Sequence, residues 1–262
     1  MKKFLVFLVS IVVVVCFGLT TYYFMRNDEI IIVKTKELFC NAGDIISLDS
    51  FRIEVKKPNK RTTYNYNAAS SDVTNLISYD QESGCYIVSE SASGEIELVI
   101  STTNKNYAEF KVKVHVGNGS VENPYYIFNQ TQLSKIGSVY RLDSNYSLMD
   151  NIALTNDFMP IGYSEASSSW IGFSGNLNGN GKTISNLNLS GTDYTNAGFF
   201  SAINAGATVS NLNIKNANIN GAYSNAGVLA GVISGNVDRI AITNSIITNK
   251  SSNSYTGSLA GV

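Results

Sequence analysis

A single histidine, His115, occurs in 262 residues, together with only three prolines and three cysteines, and charged side chains make up 15% of the chain at a net charge of −1. Each scarcity excludes something. A zinc peptidase needs two histidines on one helix face with a glutamate as base. A serine nucleophile with a histidine base would depend on His115 alone, which the alternation of its segment places on the polar face of a strand. Nucleic-acid binding needs clustered Lys and Arg, and no block of like charge occurs. Polysaccharide-cleaving enzymes need paired carboxylates on one exposed sheet. Between residues 172 and 262 the charged side chains are Lys182, Asp193, Lys215, Asp238, Arg239 and Lys250, and the two aspartates do not fall at equivalent repeat positions. No EF-hand spacing occurs, so no cofactor or metal site is expected, although oxygen ligands for calcium are plentiful in the Asp/Asn-rich loops. Cys16 lies within an apolar run; Cys40 and Cys85 could pair in an oxidising compartment or sit apart as small buried residues.

The second shortage is of helix formers. Asn, Ser, Thr, Tyr and Gly are abundant, which favours strands and turns and predicts an all-β chain. The exception is the N-terminus. Lys2 and Lys3 precede an uncharged run over 4–24, closed by Arg26, Asp28 and Glu29. Its 21 residues match the about 20 that a helix needs to cross a bilayer. No A-x-A-like cleavage site follows, and Val13-Val14-Val15 lacks the small residue that precedes a lipoprotein cysteine. Residues 1–28 are therefore expected to be an uncleaved signal anchor, a single transmembrane helix with the lysines inside and the bulk of the chain outside the cell.

Residues 30–117 alternate with period two. Ile30 to Val33 opens the series, followed by Phe51-x-Ile53-x-Val55, Cys85-Tyr86-Ile87-Val88, Ile96-x-Leu98-x-Ile100 and Phe110-x-Val112-x-Val114-x-Val116. Turns interrupt at Asn41-Ala42-Gly43-Asp44 and Pro58-Asn59. This is the pattern of an antiparallel β-sandwich with one wet face. With Ala42-Gly43-Asp44 near its start, Ser70-Ser71-Asp72 in its middle and Phe110-Lys111-Val112-Lys113-Val114 at its close, the segment resembles bacterial Ig-like domains of the group 2 kind. The resemblance implies a spacer that holds a working module away from the envelope.

From residue 172 the chain repeats. The unit aliphatic-x-x-aliphatic-x-aliphatic occurs as Ile184/Leu187/Leu189, Val209/Leu212/Ile214 and Val237/Ile240/Ile242, at offsets of 25 and 28. A second unit follows each time, as Gly198/Phe200/Ile203, Gly227/Leu229/Val232 and Gly257/Leu259/Val262, at offsets of 29 and 30. Such a period is too short for a propeller blade and lacks helical periodicity; it fits one coil of a right-handed parallel β-solenoid. Strands of adjacent coils then stack about 4.8 Å apart, and matched aliphatics form columns. Each buried aliphatic contributes roughly 1.5–3 kcal/mol before entropy is subtracted. The last 87 residues hold 17 Asn, including Asn186, Asn188, Asn211, Asn213, Asn218 and Asn220. Asn can donate and accept up a stack and tolerates left-handed corners. Gly175, Gly179, Gly181, Gly206, Gly221 and Gly235 mark further corners.

Gly227-Val228-Leu229-Ala230-Gly231 and Gly257-Ser258-Leu259-Ala260-Gly261, with the degenerate Gly198-Phe199-Phe200-Ser201, resemble the GLUG-motif repeat family. The approach is similar too: 125–128, Gln132-Leu133-Ser134-Lys135-Ile136, Asp150-Asn151-Ile152, Pro160-Ile161-Gly162, and above all 173–184. Family members include surface adhesins and the non-catalytic N-terminal region of immunoglobulin-A-cleaving zinc peptidases. Residues 118–171 are expected to cap the first coil, with a short helix over 131–136 started by Thr131 or Asn129. The sequence stops inside the third repeat, as a truncated solenoid would. The resemblance implies a non-catalytic protein displayed at the cell surface, binding an extracellular glycan or protein. A polysaccharide-active solenoid enzyme and a purely structural spacer are the alternatives. Tyr194, Tyr223 and Tyr255 precede the Gly unit at similar intervals and could stack as an exposed, sugar-contacting column, or pack within turns.

Overall fold

A computed structural model describes residues 30–56, 66–70, 76–102, 110–155, 158–164, 169–191 and 195–262. The run expected to anchor the chain lies outside them. Among the described residues no helix is long and apolar enough to cross a membrane. The described residues are all-β, with helix confined to Gln130–Leu133 and the 3-10 turn Leu48–Phe51. It divides into two compact units: one of 43–91 and 95–114 with residues before 39, the other of 39–42, 92–94 and 115–262.

Two sheets organise the first part of the chain. Ile45–Ser47, Cys85–Val88 and Ile77–Asp80 form one, with Cys85–Val88 in the centre and antiparallel to both neighbours. Glu37–Asn41, Phe110–Gly117, Gly94–Thr102 and Tyr66–Ser70 lie in that order in the other. Ile30–Val33 pairs antiparallel with Ile53–Lys56. The period-two reading holds side chain by side chain: Tyr86 and Val88 are buried while Ile87 is exposed, and Val112 and Val114 are buried between exposed Lys111 and Lys113. Phe51 departs from it. It closes the 3-10 turn, and Arg52 at φ 47° reverses the chain before Ile53–Lys56 begins. Its ring packs edge-on against Tyr86 at 5.5 Å, so its burial owes nothing to strand alternation. Cys40 and Cys85 are not joined in a disulfide. His115 is half-buried and stacks on Phe39 with ring centroids 4.5 Å apart, because an imidazole has enough apolar face to pack there despite its polar-face position in the sequence pattern.

In the second unit, parallel stacking begins at Tyr125, well before residue 172. Tyr125–Ile127, Asn145–Leu148, Asn176–Asn178, Thr208–Lys215 and Asn236–Thr243 lie in succession, so Tyr125, Tyr146, Leu177, Val209 and Val237 form one inward column. A second runs through Ile152, Ile184, Ile214 and Ile242, and a third through Leu189, Ile219 and Ile247. These side chains share one core with Phe173, Phe199 and Phe200. The segment expected only to cap the solenoid therefore supplies its first strands. Its helix is Gln130–Leu133, started by Asn129, whose side chain accepts from Gln132 N–H.

The register corrects the sequence alignment of the first repeat. Leu212 lies beside Ile240 as expected, but Ile184 lies beside Ile214, and the N–H of Asn218 donates to Leu187 O, placing Leu187 a corner away from Leu212. The cause is a longer corner. Four residues, 179–182, separate the paired strands of the first coil where two, 211 and 212, suffice in the second. The Gly unit slips similarly: Gly227 is level with Gly257, but Phe200 is level with Ala230 rather than Leu229.

Candidate functional site

The features most able to meet a partner are the outer faces of the solenoid, and their chemistry follows from the corners that shape them. Asn186, Asn216 and Asn244 occupy the same corner in three coils, with φ of 60°, 57° and 50°. At the preceding corner stand Asn180, Asn211 and Arg239, with φ of 49°, 53° and 51°. Asparagine adopts this left-handed backbone at less cost than most residues because its short amide bonds locally. Between corners, strands point alternate side chains outward, and Asn188, Asn218 and Ile246 stack in one outer row with Ser190, Asn220 and Thr248 beside them.

These amides bond up the stack. Asn176 donates to Asn145 at 2.8 Å, Asn211 to Asn178 at 3.0 Å, Asn218 to Asn188 at 3.2 Å and Asn225 to Asn196 at 2.7 Å. Asn196 is itself buried, but the other pairs set uncharged amide groups at regular intervals along the outer faces. Such a surface can bind hydroxyl-rich or amide-rich molecules. Asp238 pairs with Arg239 at 2.9 Å, Arg239 also donates to the Asn211 side chain, and Asp193 lies outside the described residues. Among the described residues, no three of His, Cys, Asp and Glu come together.

Tyr223 and Tyr255 do not share an exposed column. Tyr194 lies outside the described residues. Tyr223 is buried at 1% exposure, whereas Tyr255 is 67% exposed. Tyr255 is level with Asn225, because one strand begins two residues after Tyr223 and the other at Tyr255 itself.

Two shallow clefts flank the first strands. One, of about 420 Å³, is lined by Tyr140, Arg141, Leu142, Asp143, Ile171 and Ser174. Its charges satisfy each other: Arg141 donates twice to Asp143, at 2.9 and 2.7 Å, which holds the Asp143 carboxyl below the usual carboxylate range. Burial pushes the nearby Tyr146 phenol well above its ordinary value, so it stays neutral. The other cleft, of about 220 Å³, lies between Leu133, Ile136, Phe158, Pro160 and Tyr163, with Gln130, Ser134 and Ser138 also in its lining.

Sequence reasoning missed Asn41, read only as a turn residue. Its carboxamide donates to Tyr126 O at 2.8 Å and accepts from Tyr126 N–H at 2.7 Å, behaving as a strand of one residue along the open edge of Tyr125–Ile127. No local pattern announces a contact 85 residues away.

Fold and faces together define an all-β protein built on a parallel β-solenoid with self-bonded amide surfaces. Halomucin of Haloquadratum walsbyi is 30% identical to the chain over 142 residues, 50% of this chain. The chain spans about 2% of the length of that protein. No family model matches the sequence, and no solved structure matches it.

Proposed function

We propose that the chain is a surface-displayed, non-catalytic protein whose solenoid binds an extracellular glycan or protein through its amide faces. Residues 4–24 act as the membrane anchor, 30–117 as an Ig-like spacer, and the solenoid as the working module of a GLUG-type repeat protein. The observation that carries this reading is the outer row of Asn188, Asn218, Ser190 and Asn220: regular, polar, and without a titratable group. A surface-displayed structural protein also fits the likeness to Halomucin. Gly227 is level with Gly257, and a side chain at Gly227 would lie 2.5 Å from Ala260 Cα in the next coil, which fits a glycine at that place of the repeat.

The test is to present the purified extracellular part, residues 30–262, to a polysaccharide and glycoprotein panel while measuring reducing-sugar release. Saturable binding without release is expected, weakened by Asn218→Leu with Asn220→Leu. Sugar release would sink the non-catalytic reading. Absence of any binding would leave only a spacer.

A further inference from the structure

Five Asn-x-Ser/Thr triplets without proline at x occur in the sequence, at Asn118, Asn129, Asn145, Asn188 and Asn249. In an exported chain this triplet is the acceptor for N-linked glycans, and a usable one lies in a surface loop. The fold separates the five. Asn145, Asn188 and Asn249 are half-buried strand residues of the solenoid whose carboxamides are engaged in its stacking. Asn145 donates to Gly119 O and accepts from Asn176, Asn188 accepts from Asn218, and Asn249 exchanges two bonds with the backbone of Tyr223. Asn129 is exposed, but it starts the helix Gln130–Leu133, which holds Thr131 of its triplet in helical backbone. The Gln130 side chain between them accepts from Thr155 N–H at 3.0 Å, which pins the middle of the triplet as well.

Asn118 differs on each count. It is exposed, in the turn between Phe110–Gly117 and Tyr125–Ile127. Its Oδ1 accepts from Ser120 N–H at 3.1 Å, which folds the carboxamide toward the serine and brings the two defining residues of the triplet together. Among the described residues its amide nitrogen has no partner. The turn closes without that nitrogen: the N–H groups of Asn118 and Gly119 both donate to Asn123 O, at 2.9 and 3.0 Å, and Ser120 Oγ accepts from Asn123 N–H at 3.1 Å. A bulky group on Asn118 Nδ2 therefore displaces no existing bond.

We propose that Asn118 is the glycan-acceptor site of the chain, taking an oligosaccharide from a lipid-linked diphosphate donor. The amide nitrogen attacks the anomeric carbon of the first sugar; a C–N bond forms, the C–O bond to the diphosphate breaks, one amide proton is released and the lipid diphosphate leaves. No oxidant or reductant enters. The proposal rests on the surface-displayed reading, because such donors serve chains carried across a membrane. Gly119 O accepts from both the N–H and the carboxamide of Asn145, so the glycan would stand at the start of the Asn145–Asn176 amide row and away from Asn218 and Asn220.

Peptide mapping by mass spectrometry of the full chain, recovered from the surface of its own cells, is expected to find the glycan on Asn118. Asn118→Gln and Ser120→Ala should each lower occupancy at least tenfold, whereas Ser120→Thr, which keeps the hydroxyl, should retain it. An unmodified chain at the surface would overturn the proposal and leave display standing; a chain that never reaches the surface would overturn both. Selection by the fold is read separately and needs no export. The purified full chain, incubated with an oligosaccharyltransferase and lipid-linked oligosaccharide in mild detergent, should gain one glycan at Asn118, while its tryptic peptides should also be modified at Asn129, Asn145 and Asn188. Equal addition at Asn129 in the folded chain, or none at Asn118, would overturn the assignment.

Discussion

Asparagine serves this chain in two distinct ways, one through its backbone and one through its amide. At Asn216, φ of 57° puts a Cβ where most residues pay for it. Asn216→Ala should therefore destabilise the fold by about 1–2 kcal/mol while Asn216→Gly costs less, a difference readable from thermal or urea midpoints. At Asn41 the amide matters. Asn41→Leu leaves both backbone groups of Tyr126 without their partner, for an expected loss of about 1–3 kcal/mol in urea unfolding. Asp80 shows the same local bonding with a charged group. It accepts from the Ser83 hydroxyl at 2.6 Å and from the Glu82 and Ser83 N–H groups, which lowers its pKa. A carboxylate depressed in this way contributes stability above its unfolded pKa and loses it as pH falls through the folded value. Ser83→Ala should move the Asp80 titration back up toward the ordinary value, measurable by NMR.

At the level of strands and coils, columns rather than single contacts set the energetics. Ile219 is fully buried between Leu189 and Ile247, so Ile219→Ala should cost about 2–5 kcal/mol. Ile247→Ala, in the same column one coil on, should cost clearly less because that side chain is already half-exposed. Denaturant midpoints of the two variants would separate them. The strands themselves were legible where inward and outward residues alternate, as in Phe110–Gly117 and Cys85–Val88. Register was less so. The unit at Ile184/Leu187/Leu189 looks like that at Val209/Leu212/Ile214, yet the first straddles a corner at Asn186 and the second one at Asn211. Spacing alone cannot tell an aliphatic on a strand from one just past a corner. The tyrosines show the same limit: similar intervals before a glycine put Tyr223 inside and Tyr255 outside.

For the whole molecule, a solenoid whose coils contact only their neighbours behaves as a nearly one-dimensional stack. The architecture was readable from the period of the aliphatics and the asparagine content, because both are imposed by stacking itself. Asn41 was not, because its role depends on where distant chain segments meet.

The unequal corners carry one more consequence. Four residues join Ile203 to Thr208 in the first coil, and two join Ile233 to Asn236 at the matching corner of the second, while the strands on either side stay paired. Circumference is thus free to vary where the spacing between layers is fixed. A short epitope spliced between Ala205 and Gly206, where an added Cβ on Gly206 meets nothing within 4 Å, should be carried on the outside of the stack with the melting temperature shifted by only a few degrees.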